Sequence, residues 1–116
     1  CKSCDLRGVS FLLESTYMTA LTGRIEDRWG SRCIVVRLDA NLRQGIPDML
    51  LLFEGGFWAA LEGKRSESAP HRPNQPYYVD LMDKLCFAAF IYPENEEAVL
   101  HELEEEYATH WASRLS

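Results

Sequence analysis

The sequence predicts an α/β domain in the order α-β-β-β-α-β-α, a mixed sheet flanked by helices. Three observations predict it. Apolar residues recur every three to four positions near both ends of the chain, as on one face of a helix. Three short β-branched or apolar runs lie between residues 33 and 61. A further apolar run, 86–92, separates two helical stretches. The 116 residues make one ordinary domain, residues 1–116.

The first helix is expected from about Ser10 to about Arg28. Leu13, Tyr17, Leu21 and Ile25 form a stripe joined by Met18, and Trp29-Gly30-Ser31 ends it. Cys33 to Leu38 reads as a strand, and Asp39 to Pro47 as a polar loop. Met49 to Phe53 and Phe57 to Leu61 are strands joined at Glu54-Gly55-Gly56. A three-residue loop sets Phe53 against Phe57 and Asp48 against Glu62. A two-residue Gly55-Gly56 loop sets Asp48 against Gly63 and turns the two acids to different faces. The sequence leaves both registers open. Both hairpin faces are apolar, so helices are expected on both sides of the sheet. A helix follows from about Asn74 to Leu85, with Tyr78, Leu81, Met82 and Leu85 as its stripe. Cys86 to Tyr92 is a buried strand that Pro93 breaks. The last helix starts near Asn95 and carries Leu100, Leu103, Tyr107 and Trp111 on one face.

Apolar residues make up 47% of the chain and charged residues 26%, enough core for a globular fold and too little charge for a disordered one. The apolar runs are too short to span a membrane, and no leader pattern opens the chain, which reads as intracellular. Net charge is −6, but seven Glu fall between Glu94 and Glu106. The remaining 11 acidic residues nearly balance the 12 basic ones, which leaves room for a local basic face. Cys33 and Cys86 read as buried thiols. Cys1 and Cys4 form a CxxC, and no second pair follows to complete four zinc ligands. His71, His101 and His110 show no metal spacing and read as surface. Trp58, Tyr77 and Tyr78 read as core.

Asp48, Glu62 and Lys64 form the pattern PD, thirteen residues, then ExK. Glu62 and Lys64 are two apart on a strand and share a face, which also carries Asp48 in the three-residue register. Two facing carboxylates repel, and a divalent cation relieves the repulsion. Mg²⁺ prefers oxygen ligands, acidifies bound water and stabilises phosphoryl oxygens. A neighbouring Lys can position water and offset phosphate charge. The chemistry implied is phosphodiester hydrolysis. Glu14 lies on or beside the buried stripe, an odd place for an unpaired acid. Gln75 opens the helix after the loop. Arg37, Arg43, Arg65, His71 and Arg72 flank the motif and are candidates for phosphate contacts. Each feature alone is common structural chemistry: Asp after Pro suits a turn, and an ExK pair suits a solvated strand end. Their order within 62 residues, from 14 to 75, is what singles them out.

The runs GIPDMLLLFEGGFWAALEGK and RPNQPYYVDLMDKL resemble the PD-(D/E)XK nuclease superfamily, and within it the VRR-NUC branch with its small phage-type, Holliday-junction-resolvase-like members. The resemblance covers about residues 11 to 92. It implies a restriction-endonuclease-like core and Mg²⁺ or Mn²⁺ held by Asp48, Glu62 and the Gly63 carbonyl, with Glu14 as a further candidate ligand. It implies Lys64 orienting the attacking water, with Glu14 and Gln75 supporting the site. It also implies DNA, often branched or structured, as substrate, and a homodimer. Gly63 departs from the family, which usually has an apolar β-former there. The alternative carried beside this reading is a non-cutting DNA-binding or protein-interaction module on the same fold. The acidic stretch 94–106 supports the interaction module.

Overall fold

A computed structural model of the chain describes residues 2–39, 43, 45–70 and 75–115, with side chains in the first helix described from Glu14 onward. The expected order holds: α1 (Lys2–Trp29), β1 (Cys33–Arg37), β2 (Met49–Phe53), β3 (Phe57–Gly63), α2 (Gln75–Leu85), β4 (Ala88–Ile91) and α3 (Glu96–Leu115). The strands form one mixed sheet, ordered β1-β2-β3-β4. The first three are antiparallel, and β4 runs parallel to β3 after the α2 crossover. Among the described residues no helix is long and apolar enough to cross a membrane.

The hairpin takes the three-residue register, with Phe53 opposite Phe57 and Met49 opposite Leu61. Gly55 and Gly56 make this possible, with φ of 97° and 83°, a region that side chains with a Cβ rarely enter. The loop is held from α3, where the Tyr107 hydroxyl donates to the Glu54 carbonyl at 2.7 Å and His110 meets the Gly55 carbonyl at 2.9 Å.

The main core lies on one face of the sheet. Met18, Leu21 and Ile25 of α1 and Leu100, Leu103 and Tyr107 of α3 pack there on Met49, Leu51 and Leu61. α1 runs antiparallel to β3. Met18 meets the Gly63 end, and Trp29 stands edge-on to Phe53 at the hairpin end, with ring centroids 5.1 Å apart. Between the two helices, Arg24 binds Glu96 at 2.7 Å, and Arg28 binds Glu104 at 2.7 Å and Glu97 at 3.3 Å. The acidic stretch is therefore partly consumed in joining α3 to α1.

Several expectations are corrected. α1 begins at Lys2, well before Ser10. Residues 2–13 contain no Pro, and the single Gly8 is too weak a breaker to stop a helix. β4 begins at Ala88 because the Cys86 N–H still donates to Met82 at 3.0 Å, and the Asp83 carboxylate takes the Ala88 N–H at 3.1 Å. α2 buries Gln75 and Val79 and half-buries Met82, while Leu81 and Leu85 of the expected stripe are exposed. Helices do not cover both faces fully. α2 packs on β3 and β4, and the same face of β1 and β2 leaves Ile34 and Leu52 exposed. Tyr77 is exposed rather than core, Tyr78 and Trp58 are half-buried, and His110 is half-buried against the hairpin. Cys33 is buried and Cys86 half-buried. The side chains of Cys1 and Cys4, and residues His71 and Arg72, lie outside the described set.

Candidate functional site

The three-residue hairpin decides the site. Continued one step past Met49 and Leu61, its register sets Asp48 opposite Glu62. Glu62 is only 2% exposed, and Gln75 at the first turn of α2 is 3% exposed. The Glu62 carboxylate is held from two sides. Its Oε2 accepts the Asp48 backbone N–H at 3.1 Å, and its Oε1 accepts the Gln75 side-chain amide at 2.7 Å. A buried carboxylate needs such donors. Glu62 thus touches two other sequence-predicted residues, Asp48 through its backbone and Gln75 through its side chain.

Lys64 lies two residues beyond Glu62 on the same strand face and is 6% exposed. Its backbone N–H closes the ladder onto Ile91 at 2.8 Å. Its ammonium donates to the Glu67 carbonyl at 3.3 Å and lies 5.7 Å and 5.9 Å from the Phe90 and Tyr92 ring centroids. The aromatic faces and one long hydrogen bond hold the ammonium in place. Sequence reasoning missed Glu67, Phe90 and Tyr92. The alternation of Phe90 and Tyr92 along the strand beside Glu62 and Lys64 was the available signal, whereas a turn carbonyl such as that of Glu67 leaves none.

Gly63 has a steric role that the sequence did not reveal. A Cβ there would collide with the Met18 side chain, so the missing side chain lets α1 lie close on the end of β3. The Gly63 carbonyl has a second peculiarity. The hydrogen bonds of Ala60 and Lys64 to β4 direct the peptide groups of Leu61 and Gly63 toward β2. The residue opposite Gly63 in the continued register is Pro47, which has no N–H to give that carbonyl. The Asp48 and Glu62 carboxylates and the Gly63 carbonyl are all oxygen donors, the type that suits Mg²⁺ or Mn²⁺. Among the described residues no three His, Cys, Asp or Glu side chains cluster closely enough to hold a metal ion. Glu14 is half-buried one turn before Met18, and the antiparallel course of α1 carries it past the C-terminal end of β3.

The arginines are spread over this end of the sheet. Arg43 is exposed, with its guanidinium 5.4 Å from the Tyr78 ring centroid. Arg65 is half-buried and lines a cleft of about 420 Å³ with Thr16, Tyr17, Ser66 and Pro93. Burial, then the hydrogen bond to Glu96, pushes the Tyr17 hydroxyl well above its ordinary pKa, so it stays protonated beside that cleft. Arg37 ends β1 on the face opposite Ile34 and Val36, away from the α2 side. No family model matches this chain, and no curated protein or solved structure matches it.

Proposed function

We propose that the chain is a metal-dependent DNA endonuclease of the PD-(D/E)XK type that hydrolyses phosphodiester bonds, on branched or structured DNA by preference. The observation that carries this reading is the buried Glu62 carboxylate, faced by Asp48, held by Gln75 and followed by Lys64 at the end of β3. Asp48, Glu62 and the Gly63 carbonyl would hold the cation. When bound, Mg²⁺ or Mn²⁺ supplies Lewis-acid stabilisation of the phosphoryl oxygens and lowers the pKa of a coordinated water. Gln75 fixes the rotamer of Glu62 by its hydrogen bond, so the carboxylate is set before substrate arrives. Lys64, whose ammonium is held by one long hydrogen bond to the Glu67 carbonyl, would orient the attacking water and offset phosphate charge. Arg43 and Arg65 contact flanking phosphates, and Glu14 bounds the site from α1.

The test is cleavage of labelled linear duplex, flap, fork and four-way-junction DNA with Mg²⁺, with Mn²⁺ and with EDTA. Asp48→Asn and Lys64→Ala run alongside. Metal-dependent cutting lost in both variants supports the reading, and the preferred substrate names the structure selected. Salt-dependent binding with no cutting under any metal overturns it in favour of a DNA-binding module.

A further inference from the structure

The helices α1 and α3 lie side by side but differ in reach. Arg24 meets Glu96 and Arg28 meets Glu104, so the two run in the same direction. α1 ends at Trp29, whereas α3 continues to Leu115. Among the described residues, the last two turns of α3 therefore have no helix alongside them at the hairpin end of the sheet. Ala108 and Ala112, one turn apart on α3, face this gap and are too small to fill it. The result is a cleft of about 440 Å³, within the range of small-molecule sites. It is remote from the Glu62 carboxylate. Phe57, at the hairpin end of β3, is about 17 Å along the strand from Glu62.

Aromatic rings wall the cleft. Trp29 bounds it at the end of α1, and Tyr107 and Trp111 form the α3 side with ring centroids 6.3 Å apart. The single turn Gly30–Arg32 brings Arg32 into the lining. Its guanidinium lies 5.0 Å from the Trp111 ring centroid and 5.6 Å from that of Tyr107. A guanidinium that rests on a ring keeps its in-plane N–H donors for an anion. Among the described residues those donors make no hydrogen bond. The ion pair that Arg32 does form, with Glu54, is 3.6 Å long and exposed on both sides. Such a pair contributes little. The other charge in the lining, Glu104, is already met by Arg28 at 2.7 Å. The cleft thus offers aromatic walls and one loosely engaged cation.

We infer that this cleft binds a small planar aromatic carboxylate. The ring packs against Trp29 and Trp111, and the carboxylate takes two parallel N–H bonds from Arg32 in place of the long contact with Glu54. An uncharged aromatic would leave those donors to water, and a cationic one would be repelled by Arg32. An aliphatic acid would forgo the ring-on-ring contacts. The site is separate from the nuclease reading, because it lies at the other end of the sheet and its occupancy is measured without metal or DNA.

The test is isothermal titration calorimetry of the whole chain with naphthoate and with its neutral amide. The expected result is saturable one-to-one binding of naphthoate, with a dissociation constant on the order of 0.1–1 mM, as a ligand of about 13 heavy atoms reaches. The amide should bind at least about tenfold more weakly, since it cannot form the charge-assisted pair. Arg32→Gln should weaken naphthoate by a similar factor. Ala112→Leu fills the cleft from an exposed position and should abolish binding. Circular dichroism and melting verify that both variants fold. No saturable binding to the native chain overturns the inference. Equal affinity for the acid and the amide overturns the anionic assignment, and binding that survives Ala112→Leu places naphthoate elsewhere and overturns the site.

Discussion

At Gly63 the Met18 side chain occupies the space a Cβ would need. Gly63→Val is expected to destabilise the fold by about 1–3 kcal/mol, the usual cost of overpacking. Met18→Ala in the same chain should recover part of that loss. A double-mutant cycle in urea reads the coupling, and strictly additive effects would refute the contact. Gln75 invites a second test. Gln75→Leu removes the donor to Glu62 Oε1 and leaves a buried carboxylate short of a partner, at about 1–3 kcal/mol. The loss should appear in metal-free denaturation and weaken cleavage as well. Cys33 carries a smaller consequence. Burial, then the charge of Glu26, pushes its thiol up to about 11, so alkylation at neutral pH should be far slower than for a free thiol.

Elements join through a few polar contacts with definite signs. α3 clamps the hairpin through Tyr107 and His110, and a Cβ on Gly55 would meet the Trp111 ring at 2.7 Å. Gly55→Ala should therefore cost more than the roughly 1–2 kcal/mol of the left-handed backbone alone. Chemical denaturation measures it, and a neutral substitution would mean the turn can be rebuilt without a positive φ. The α1–α3 seam responds to pH. For Glu96, burial pushes the carboxyl pKa up, but hydrogen bonds from Arg24 and Tyr17 outweigh it and hold the group below its ordinary value. For Glu104, the hydrogen bond from Arg28 does the same. A depressed carboxylate contributes stability above its unfolded pKa and loses it as pH falls through the folded pKa. The melting temperature should hold from neutrality to about pH 5 and fall below the ordinary carboxylate range. Arg24→Gln should flatten that fall. Solvent screening keeps each exposed pair below about 1 kcal/mol. Glu106 acts oppositely. Burial, then Glu102 and Asp83, raises its pKa, so Glu106→Gln should raise the melting temperature more at pH 7 than at pH 4.

For the whole molecule, the net charge of −6 sets a long-range field that does not favour DNA. Part of that acidity is neutralised inside the α1–α3 seam, and the sheet end that carries Asp48, Lys64, Arg43 and Arg65 is locally mixed in sign. Metal binding can be read globally without any substrate. A ligand that binds only the folded state raises stability with its concentration, by about 2.7 kcal/mol at a hundred times its dissociation constant. Mn²⁺ should therefore raise the melting temperature of the native chain and leave Asp48→Asn unmoved. An equal rise in both would place the metal elsewhere.

Much of the architecture was legible in the chain. Period-four apolar stripes, short β-branched runs and the Glu54-Gly55-Gly56 turn determine the α-β-β-β-α-β-α order, because they report which backbone conformations each segment can bury. The candidate site was legible as a set of residue types, since Glu62 and Lys64 must share a face on any strand. The chain by itself left the hairpin register open, and with it whether Asp48 faces Glu62. The clamp from Tyr107 and His110, more than fifty residues away, is a contact that only the assembled fold makes. The tertiary structure also decided which face each helix buries. On α2, Leu81 and Leu85 have helical spacing but no sheet beneath them. Periodicity says that a face is apolar, and only the neighbouring elements decide whether anything covers it.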